Sequence, residues 1–225
     1  MENQLKILST KKLSDSQKKS LEYFELEEEN LIEIHFEKIK AFENEAYCAV
    51  FTSKNAVKAV FEKNRISPSV FRKVFCVGHK TAALLREKGV IVAGICNSAY
   101  ELALLLVEDL TNKQDEQVKV TFFCGNLRRN ELPSLLKENK IEVEEIEVYK
   151  TTLLPKKFEN TYDGLLFFSP SAIKSYLSAG NSVEPVAFCV GNTTAVAAIM
   201  EFDKVYVAET PSVEAVTALV VENLK

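Results

Sequence analysis

The sequence predicts an α/β fold with parallel sheets, and three features of its hydrophobic pattern support this class. Short and almost wholly apolar runs, such as Ala46–Phe51 and Leu165–Phe168, are typical of parallel strands that are covered on both faces. Longer stretches with helical periodicity, such as Ala99–Leu110, lie between these runs. The two kinds of segment alternate along the chain, which indicates right-handed β–α–β crossovers.

The individual elements follow from the same pattern. The predicted strands are the short apolar runs Leu5–Ser9, Ala46–Phe51, Lys73–Val77, Val118–Cys124, Leu165–Phe168, Ala187–Val190 and Val205–Ala208. The predicted helices are Lys54–Glu62, Lys80–Lys88, Ala99–Leu110, Leu127–Glu138, Ala172–Ser178, Thr194–Glu201 and Val213–Leu224. Two segments, 31–39 and 141–149, alternate apolar and polar residues, which predicts half-exposed strands that pair with each other. The acidic run Glu27–Glu29 is predicted to be a solvated turn.

An internal repeat predicts two lobes. Three blocks recur in the same order and at nearly the same spacing: residues 50–58 as 166–174, Phe75–Gly78 as Phe188–Gly191, and Ser98 with its leucine-rich helix as Ser212 with a valine-rich helix. The distance between the copies, from residue 50 to residue 166, far exceeds the roughly 50 residues of a solenoid unit, so the repeat is a duplicated domain. We expect one discontinuous lobe of residues 1–33 and 150–225, a second lobe of residues 36–147, and connector strands at about 32–39 and 142–150.

Composition excludes several classes of function. Apolar residues make up 47% and charged residues 27% of the 225 residues, which is the globular range, and the formal net charge of −4 argues against a nucleic-acid or anionic-membrane partner. The five Cys form no Cys-x-x-Cys pair, and two His leave little material for a metal site. No apolar run approaches the roughly 20 residues that span a bilayer. We expect a cytoplasmic protein with reduced thiols, no signal peptide, no metal and no cofactor.

Small polar residues follow almost every predicted strand and begin the next helix. Ser and Thr there serve as N-caps, and each one taken singly is most simply a cap. Together they lie at the carboxyl ends of parallel strands, where open α/β sheets bind ligands and helix N-termini attract anions. The candidate substrate-binding residues are Thr52, Ser53, Gly78, Thr81, Gly125, Asn126, Arg128, Ser169, Ser171, Gly191, Thr193 and Thr194. Such a set suits a ligand with many carboxylates.

Familiar catalytic motifs are absent from the sequence. The glycine-bearing turns match neither the dinucleotide-binding nor the phosphate-binding glycine pattern, and no Gly-x-Ser-x-Gly elbow occurs. Tyr149 ends the second half-exposed strand, where the chain passes between the expected lobes. Its two interpretations are an interface hydrophobe and a proton donor.

Several motifs resemble the uroporphyrinogen-III synthase family. The segment Cys124–Pro133 is similar to the family's Gly-Asn-Leu-basic-Arg…Leu-Pro block, and Val148–Thr151 is similar to its Val-Tyr-x-Thr ending. Further motifs resemble the family in family order: Phe51-Thr52-Ser53, Val77-Gly78 with Thr81-Ala82, residues 167–171 and residues 190–195. One departure is Thr10-Lys11-Lys12, where many relatives have Thr-Arg-Pro, because lysine keeps the charge but not a bidentate contact.

This resemblance implies a fold, a reaction and a catalytic group. The fold would be two flavodoxin-like parallel-sheet lobes joined by a two-stranded antiparallel β-ladder. The reaction would close linear hydroxymethylbilane, invert ring D and release water, to give uroporphyrinogen III in haem biosynthesis without a cofactor. Tyr149 becomes the candidate proton donor, since a proton assists departure of the terminal hydroxyl. The expected partners are the tetrapyrrole substrate and, transiently, the upstream bilane-forming enzyme. The protein itself is expected to be a monomer.

Two alternatives come from other functional classes. A non-catalytic two-lobed protein that binds a polycarboxylate would share the same strand ends and helix N-termini but would lack turnover. A flavodoxin-like or response-regulator signalling module is weakened because no acidic cluster follows the first strand. Tyr149 and the Thr-rich loops favour the enzyme.

Overall fold

A computed structural model describes residues 4–39, 46–111 and 119–224. The chain forms two compact units, of which unit 1 comprises Met1–Glu33 with Thr152–Lys225 and unit 2 comprises Ile34–Thr151. Each unit carries its own sheet and its own buried apolar clusters. The lobe bounds 1–33 with 150–225 and 36–147 stay a prediction about domains, since compactness alone does not test independent folding.

The strands, in chain order, are β1 (Lys6–Ser9), β2 (Glu25–Glu28), β3 (Ile32–Phe36), β4 (Ala46–Phe51), β5 (Phe71–Val77), β6 (Val92–Cys96), β7 (Val120–Gly125), β8 (Val143–Leu153), β9 (Gly164–Phe167), β10 (Val186–Cys189) and β11 (Val205–Val207). The helices are α1 (Asp15–Lys18), α2 (Lys54–Lys58), α3 (His79–Glu87), α4 (Ala99–Thr111), α5 (Glu131–Glu138), α6 (Pro170–Ser178), α7 (Asn192–Ile199) and α8 (Val213–Asn223). A π-helical turn, Ala59–Lys63, continues α2, and short 3₁₀ turns occur at Lys19–Leu21 and Pro68–Val70.

The sheet of unit 1 is parallel, with the spatial order β2-β1-β9-β10-β11. Numbered within the unit this is 2-1-3-4-5, the order of flavodoxin-like sheets. Its central strands are buried on both faces, with Leu8 and Phe167 in one apolar cluster and Ile7 and Phe188 in another. A strand between two helical layers exposes neither face, so almost all of its residues are apolar. This explains the uninterrupted apolar runs in the sequence.

The sheet of unit 2 has the order β3-β8-β7-β4-β5-β6. The sequence repeat places β4 where unit 1 has β9 and β5 where it has β10. The strands β7 and β8 then occupy the places of β1 and β2. Both units therefore have the same strand order in space, and in unit 2 the chain enters at the third position. The predicted α/β class with two parallel sheets is confirmed.

The strand β3 is the antiparallel exception in the second sheet. The N–H of Glu37 donates to the carbonyl of Val148 at 2.9 Å, and the N–H of Leu154 donates to the carbonyl of Leu31 at 2.9 Å. Residue numbers therefore rise along β3 while they fall along β8, so the two strands are antiparallel. The chain passes from unit 1 to unit 2 within β3 and returns within β8.

The structure differs from the predictions at three places. The run Glu27–Glu29 is not a turn, because Glu25–Glu28 forms β2 beside β1. Its carboxylates have partners: Glu28 accepts from the N–H of Leu13 and pairs with Lys18 at 2.6 Å. The strand β6 was also not predicted, and Val118, predicted to begin a strand, lies outside the described residues. The residues after β7 do not begin a helix, since α5 starts only at Glu131.

Within the described parts of the chain, no helix is both long and apolar enough to cross a membrane.

Candidate functional site

The site in unit 2 lies where the strand order reverses. The chain runs from β4 toward β6 on one side of this point and from β7 toward β8 on the other. Phe51 pairs with Phe123 across β4 and β7, so the loops that follow these two strands lie side by side. Open α/β sheets bind ligands at such a switch point, because the two loops diverge there and leave a crevice. This arrangement brings Thr52 and Ser53 next to Gly125.

Tyr149 lies over this switch point from the neighbouring strand β8. It pairs with Gly125, and a β-carbon at Gly125 would lie 2.4 Å from Cζ of the tyrosine ring. Only glycine therefore allows the ring to lie there. The side chains of Tyr149 and Ser53 form a hydrogen bond, and burial raises the pKa of the Tyr149 phenol although that hydrogen bond opposes the shift. The phenol is accordingly protonated throughout the neutral pH range.

The polar residues after β4 and β5 expose main-chain donors at helix starts. Ser53 caps α2 by accepting from the N–H of Asn55 at 3.1 Å, and Thr52 beside it is half-buried. Gly78 precedes α3 with φ of 84°, and a β-carbon there would meet nothing within 4 Å. No acidic residue lies in the first turn of α3, while the side chain of Thr81 is buried. The N-terminus of α3 thus offers its backbone to an anion.

Unit 1 has an equivalent switch point between β1 and β9. The N–H and the hydroxyl of Thr10 both donate to the carbonyl of Leu166, at 3.1 and 2.7 Å. The ammonium of Lys11 lies 5.2 Å from the ring centroid of Phe168. Sequence reasoning did not include Thr10 or Lys11 among the site residues. Their position directly after the first strand, like that of Asn126 after β7, was the signal that could have identified them.

The next two strand ends of unit 1 begin α6 and α7. Ser169 caps α6 by accepting from the N–H of Ala172 at 3.2 Å, and Ser171 is half-buried. Gly191 lies between β10, the strand beside β9, and α7. Thr193 is exposed there and Thr194 is buried. The first turns of both helices lack acidic residues.

Two further candidates are engaged by protein groups. Arg128 forms an ion pair with Glu145 and donates to the side-chain oxygen of Asn130 at 2.6 Å. The side-chain amide of Asn126 contacts the main chain of Thr151. The structure thus brings Thr52, Ser53, Gly125 and Tyr149 together, whereas Arg128 points its charge at a carboxylate of its own unit.

The thiol of Cys124, which interacts electrostatically with Tyr149, is a poor alternative acid. Cys124 is buried, its sulfur lies 3.7 Å from the carbonyl oxygen of Ile146, and burial raises its pKa to about 11. His35, the other alternative, is exposed on β3. Among the described residues, no three His, Cys, Asp or Glu side chains are grouped to hold a metal ion.

Buried thiols lead to a prediction for chemical modification. Burial raises the pKa of Cys76 to about 11 and that of Cys189 to about 12, and Cys48 is fully buried. Cys96 alone is only partly buried. Because the thiolate is the reactive form, we expect a disulfide reagent at pH 8 to modify Cys96 first and all five thiols only in denaturant. Rapid reaction of several thiols in the native protein would contradict this packing.

A matched pair of serine variants separates capping from ligand binding. Ser169→Ala and Ser212→Ala each remove an N-cap, of α6 and α8 respectively, and each should cost about 1 kcal/mol of stability in urea unfolding. Only Ser169→Ala should also weaken substrate binding, by at most roughly 1–2 kcal/mol. Complete loss of binding in folded Ser169→Ala would contradict binding that is distributed over many contacts.

Comparisons with known proteins agree on one family. The family model described as uroporphyrinogen-III synthase HemD matches residues 22–218. The solved structure of uroporphyrinogen-III synthetase from Helicobacter pylori is similar, with a TM-score of 0.66 at 20% identity over 98% of this chain and 100% of that chain. A mutant uroporphyrinogen III synthase from the extremely thermophilic bacterium Thermus thermophilus gives 0.71 at 14% identity, over 98% of each chain. The wild-type Thermus protein in a second crystal form gives 0.56 at 15% identity, again over 98% of each chain.

Proposed function

The chain belongs to the uroporphyrinogen-III synthase family, and we propose that the phenol of Tyr149 donates the proton that the reaction needs. Enzymes of this family are cyclising lyases of haem biosynthesis, and this chain is one of them. The reaction closes linear hydroxymethylbilane, inverts ring D and releases water, to give uroporphyrinogen III. A non-catalytic polycarboxylate-binding protein is not favoured, because the family and the similar structures are synthases.

The observation that carries the proposal is the place of the Tyr149 hydroxyl. It lies at the switch point of unit 2, hydrogen-bonded to Ser53, and burial holds its pKa above the ordinary value. An electron-rich pyrrole expels the terminal hydroxyl of the bilane as the carbon–oxygen bond breaks. The Tyr149 proton converts that hydroxyl to water. The proton lost by the ring carbon that forms the closing bond then regenerates the phenol, so the net release is one water molecule.

We further propose that the strand ends of each unit hold the carboxylates of the substrate. The residues are Thr52, Ser53, Gly78, Thr81, Gly125, Ser169, Ser171, Gly191, Thr193 and Thr194. Thr81 and Thr194 would act only through the helix N-termini in which they lie, because their side chains are buried and their N–H groups donate to the carbonyls of Gly78 and Gly191. Each helix N-terminus is worth about 0.3–1 kcal/mol toward an anion, so many contacts act together. Their combined effect restrains a flexible chain in the conformation that favours attack through the substituted carbon of ring D.

The remaining parts of the proposal concern location and partners. The substrate is a small tetrapyrrole, and the formal charge of −4 gives no broad attraction to nucleic acid or anionic membrane. We propose a cytoplasmic monomer that meets the upstream bilane-forming enzyme transiently. Sedimentation of the pure protein tests the monomer.

Product analysis tests the function. Freshly generated hydroxymethylbilane is supplied with and without the protein, and the type I and type III isomers are separated by chromatography. Unassisted bilane closes without inversion and gives type I. With the protein present, the isomer that forms should be type III. A product mixture that the protein leaves unchanged would refute the enzyme and leave only binding.

A further inference from the structure

The ladder between β7 and β8 slips by one residue just before Tyr149. The strands pair in register from Val120 with Val143 to Cys124 with Glu147, but the next pair is Gly125 with Tyr149. Val148 is the extra residue on β8. A bulge of this kind interrupts the backbone ladder and redirects the side chains beyond it, and bulges are common next to active sites. The segment that carries the phenol therefore begins where regular pairing stops.

Asn126 restores the interrupted pairing with its side chain. Its backbone N–H donates to the carbonyl of Tyr149 at 3.3 Å. Its side-chain oxygen accepts from the N–H of Thr151 at 2.8 Å, and its side-chain nitrogen donates to the carbonyl of Thr151 at 3.3 Å. An amide side chain has the donor and acceptor of a peptide group, so it replaces one step of the ladder. These three contacts hold β8 at Tyr149 and at Thr151, directly beyond the bulge.

The equivalent place in unit 1 is built differently. The strands β1 and β2 stay in register to their last pair, Ser9 with Glu28, and the N–H of Leu31 then donates to the backbone carbonyl of Thr10 at 3.4 Å. Side chains also bridge the two strand ends there, since Asn30 accepts from the N–H of Lys12 at 3.0 Å and Glu28 accepts from the N–H of Leu13 at 2.6 Å. In unit 2 the bridge instead comes from the residue after β7, and its amide both donates to and accepts from one residue of the bulged strand that carries the phenol.

We infer that Asn126 is a positioning residue, which holds β8 beyond its bulge so that the Tyr149 hydroxyl stays beside Ser53. The inference deepens the proposed function and rests on it. It assigns the Asn126 side chain to the main chain of Thr151 instead of to the substrate. Without the bridge, the backbone contact of Asn126 to Tyr149 is what holds the residues beyond the bulge on the β7 side, and the phenol can leave the switch point.

Kinetics of Asn126 variants give the first test. Asn126→Ala should lower kcat about tenfold with KM within about twofold, since the ring is misplaced while the carboxylate contacts remain. Asn126→Asp keeps the acceptor for the Thr151 N–H and should lose less. Asn139→Ala is the matched control, because its amide donates to the Leu135 carbonyl at the end of α5, and it should turn over normally. In the Tyr149→Phe background, Asn126→Ala should add almost no further loss.

A spectroscopic measurement gives the second test and does not depend on turnover. The protein is labelled with ¹³C at Cζ of its seven tyrosines, and Tyr149→Phe assigns the resonance of Tyr149. Asn126→Ala should lower the phenol pKa toward its ordinary value, because a loosened ring meets more water. If Asn126→Ala lowers the Tyr149 pKa but the wild-type protein has no synthase activity, the proposed function is refuted and the positioning role is kept. An unchanged pKa, or a full additional loss of kcat in the Tyr149→Phe background, would overturn the inference.

Discussion

Tyr149→Phe is expected to slow turnover by about 10²–10⁴-fold while the product remains the type III isomer, which is the range that positioned proton transfer contributes. The variant removes only the hydroxyl, so the ring still lies against Gly125 and the fold keeps its packing. The remaining carboxylate contacts still orient the bilane. Electron release from the pyrrole then expels hydroxide with the help of water alone, which is slower.

The control for this prediction is Tyr100→Phe, which removes an exposed hydroxyl from α4 in the same unit and should leave turnover unchanged. Rates are measured with freshly generated bilane, and the products are separated by isomer. Wild-type turnover in Tyr149→Phe would make Tyr149 a packing residue. Mainly type I product would show that the hydroxyl orients the substrate and does not act as an acid.

Gly125→Ala is expected to have the second largest effect, a loss of about 10²-fold in turnover with a destabilisation of about 1–3 kcal/mol. The added β-carbon would lie 2.4 Å from Cζ and 2.9 Å from the hydroxyl oxygen of Tyr149. The ring must move, and the phenol moves with it. Steady-state rates and urea unfolding measure the two effects separately.

Gly94→Ala is the matched control for overpacking. A β-carbon at Gly94 would lie 2.8 Å from a ring carbon of Phe75, in the same unit but on β5 and β6. It should destabilise the protein to a similar extent and leave the turnover of the folded fraction near normal. Equal losses of turnover in both variants would contradict a specific role for the close contact between Gly125 and Tyr149.

The parts of the fold that the sequence predicted are those whose cause is local. Strands such as β4 and β9 are buried between helices, so they contain solid apolar runs. The edge strand β2 escaped prediction because its carboxylates find partners far away in sequence, with Glu27 accepting from the hydroxyl of Tyr162 at 2.6 Å. The four residues of β2 contain no local pattern that predicts such a distant partner.

The site was predictable in kind but not in detail. The small polar residues after each strand and the family motif at Tyr149 indicated the carboxyl edge of the sheets. The contact between Tyr149 and Gly125 depends on a one-residue slip between two strands, which no local pattern of apolar residues encodes. The same holds for Arg128, whose charge is met by Glu145, a residue on the adjacent strand β8.

Proton donation by Tyr149 is the central claim, and a solvent isotope effect tests it most directly. Single-turnover rates of bilane closure are measured in H₂O and in D₂O for the wild-type protein and for Tyr149→Phe, at matched positions on the pH profile. We expect that the wild-type rate falls in D₂O and that this difference largely disappears in Tyr149→Phe. An isotope effect of the same size in both proteins would contradict the account, because the proton would then come from another group.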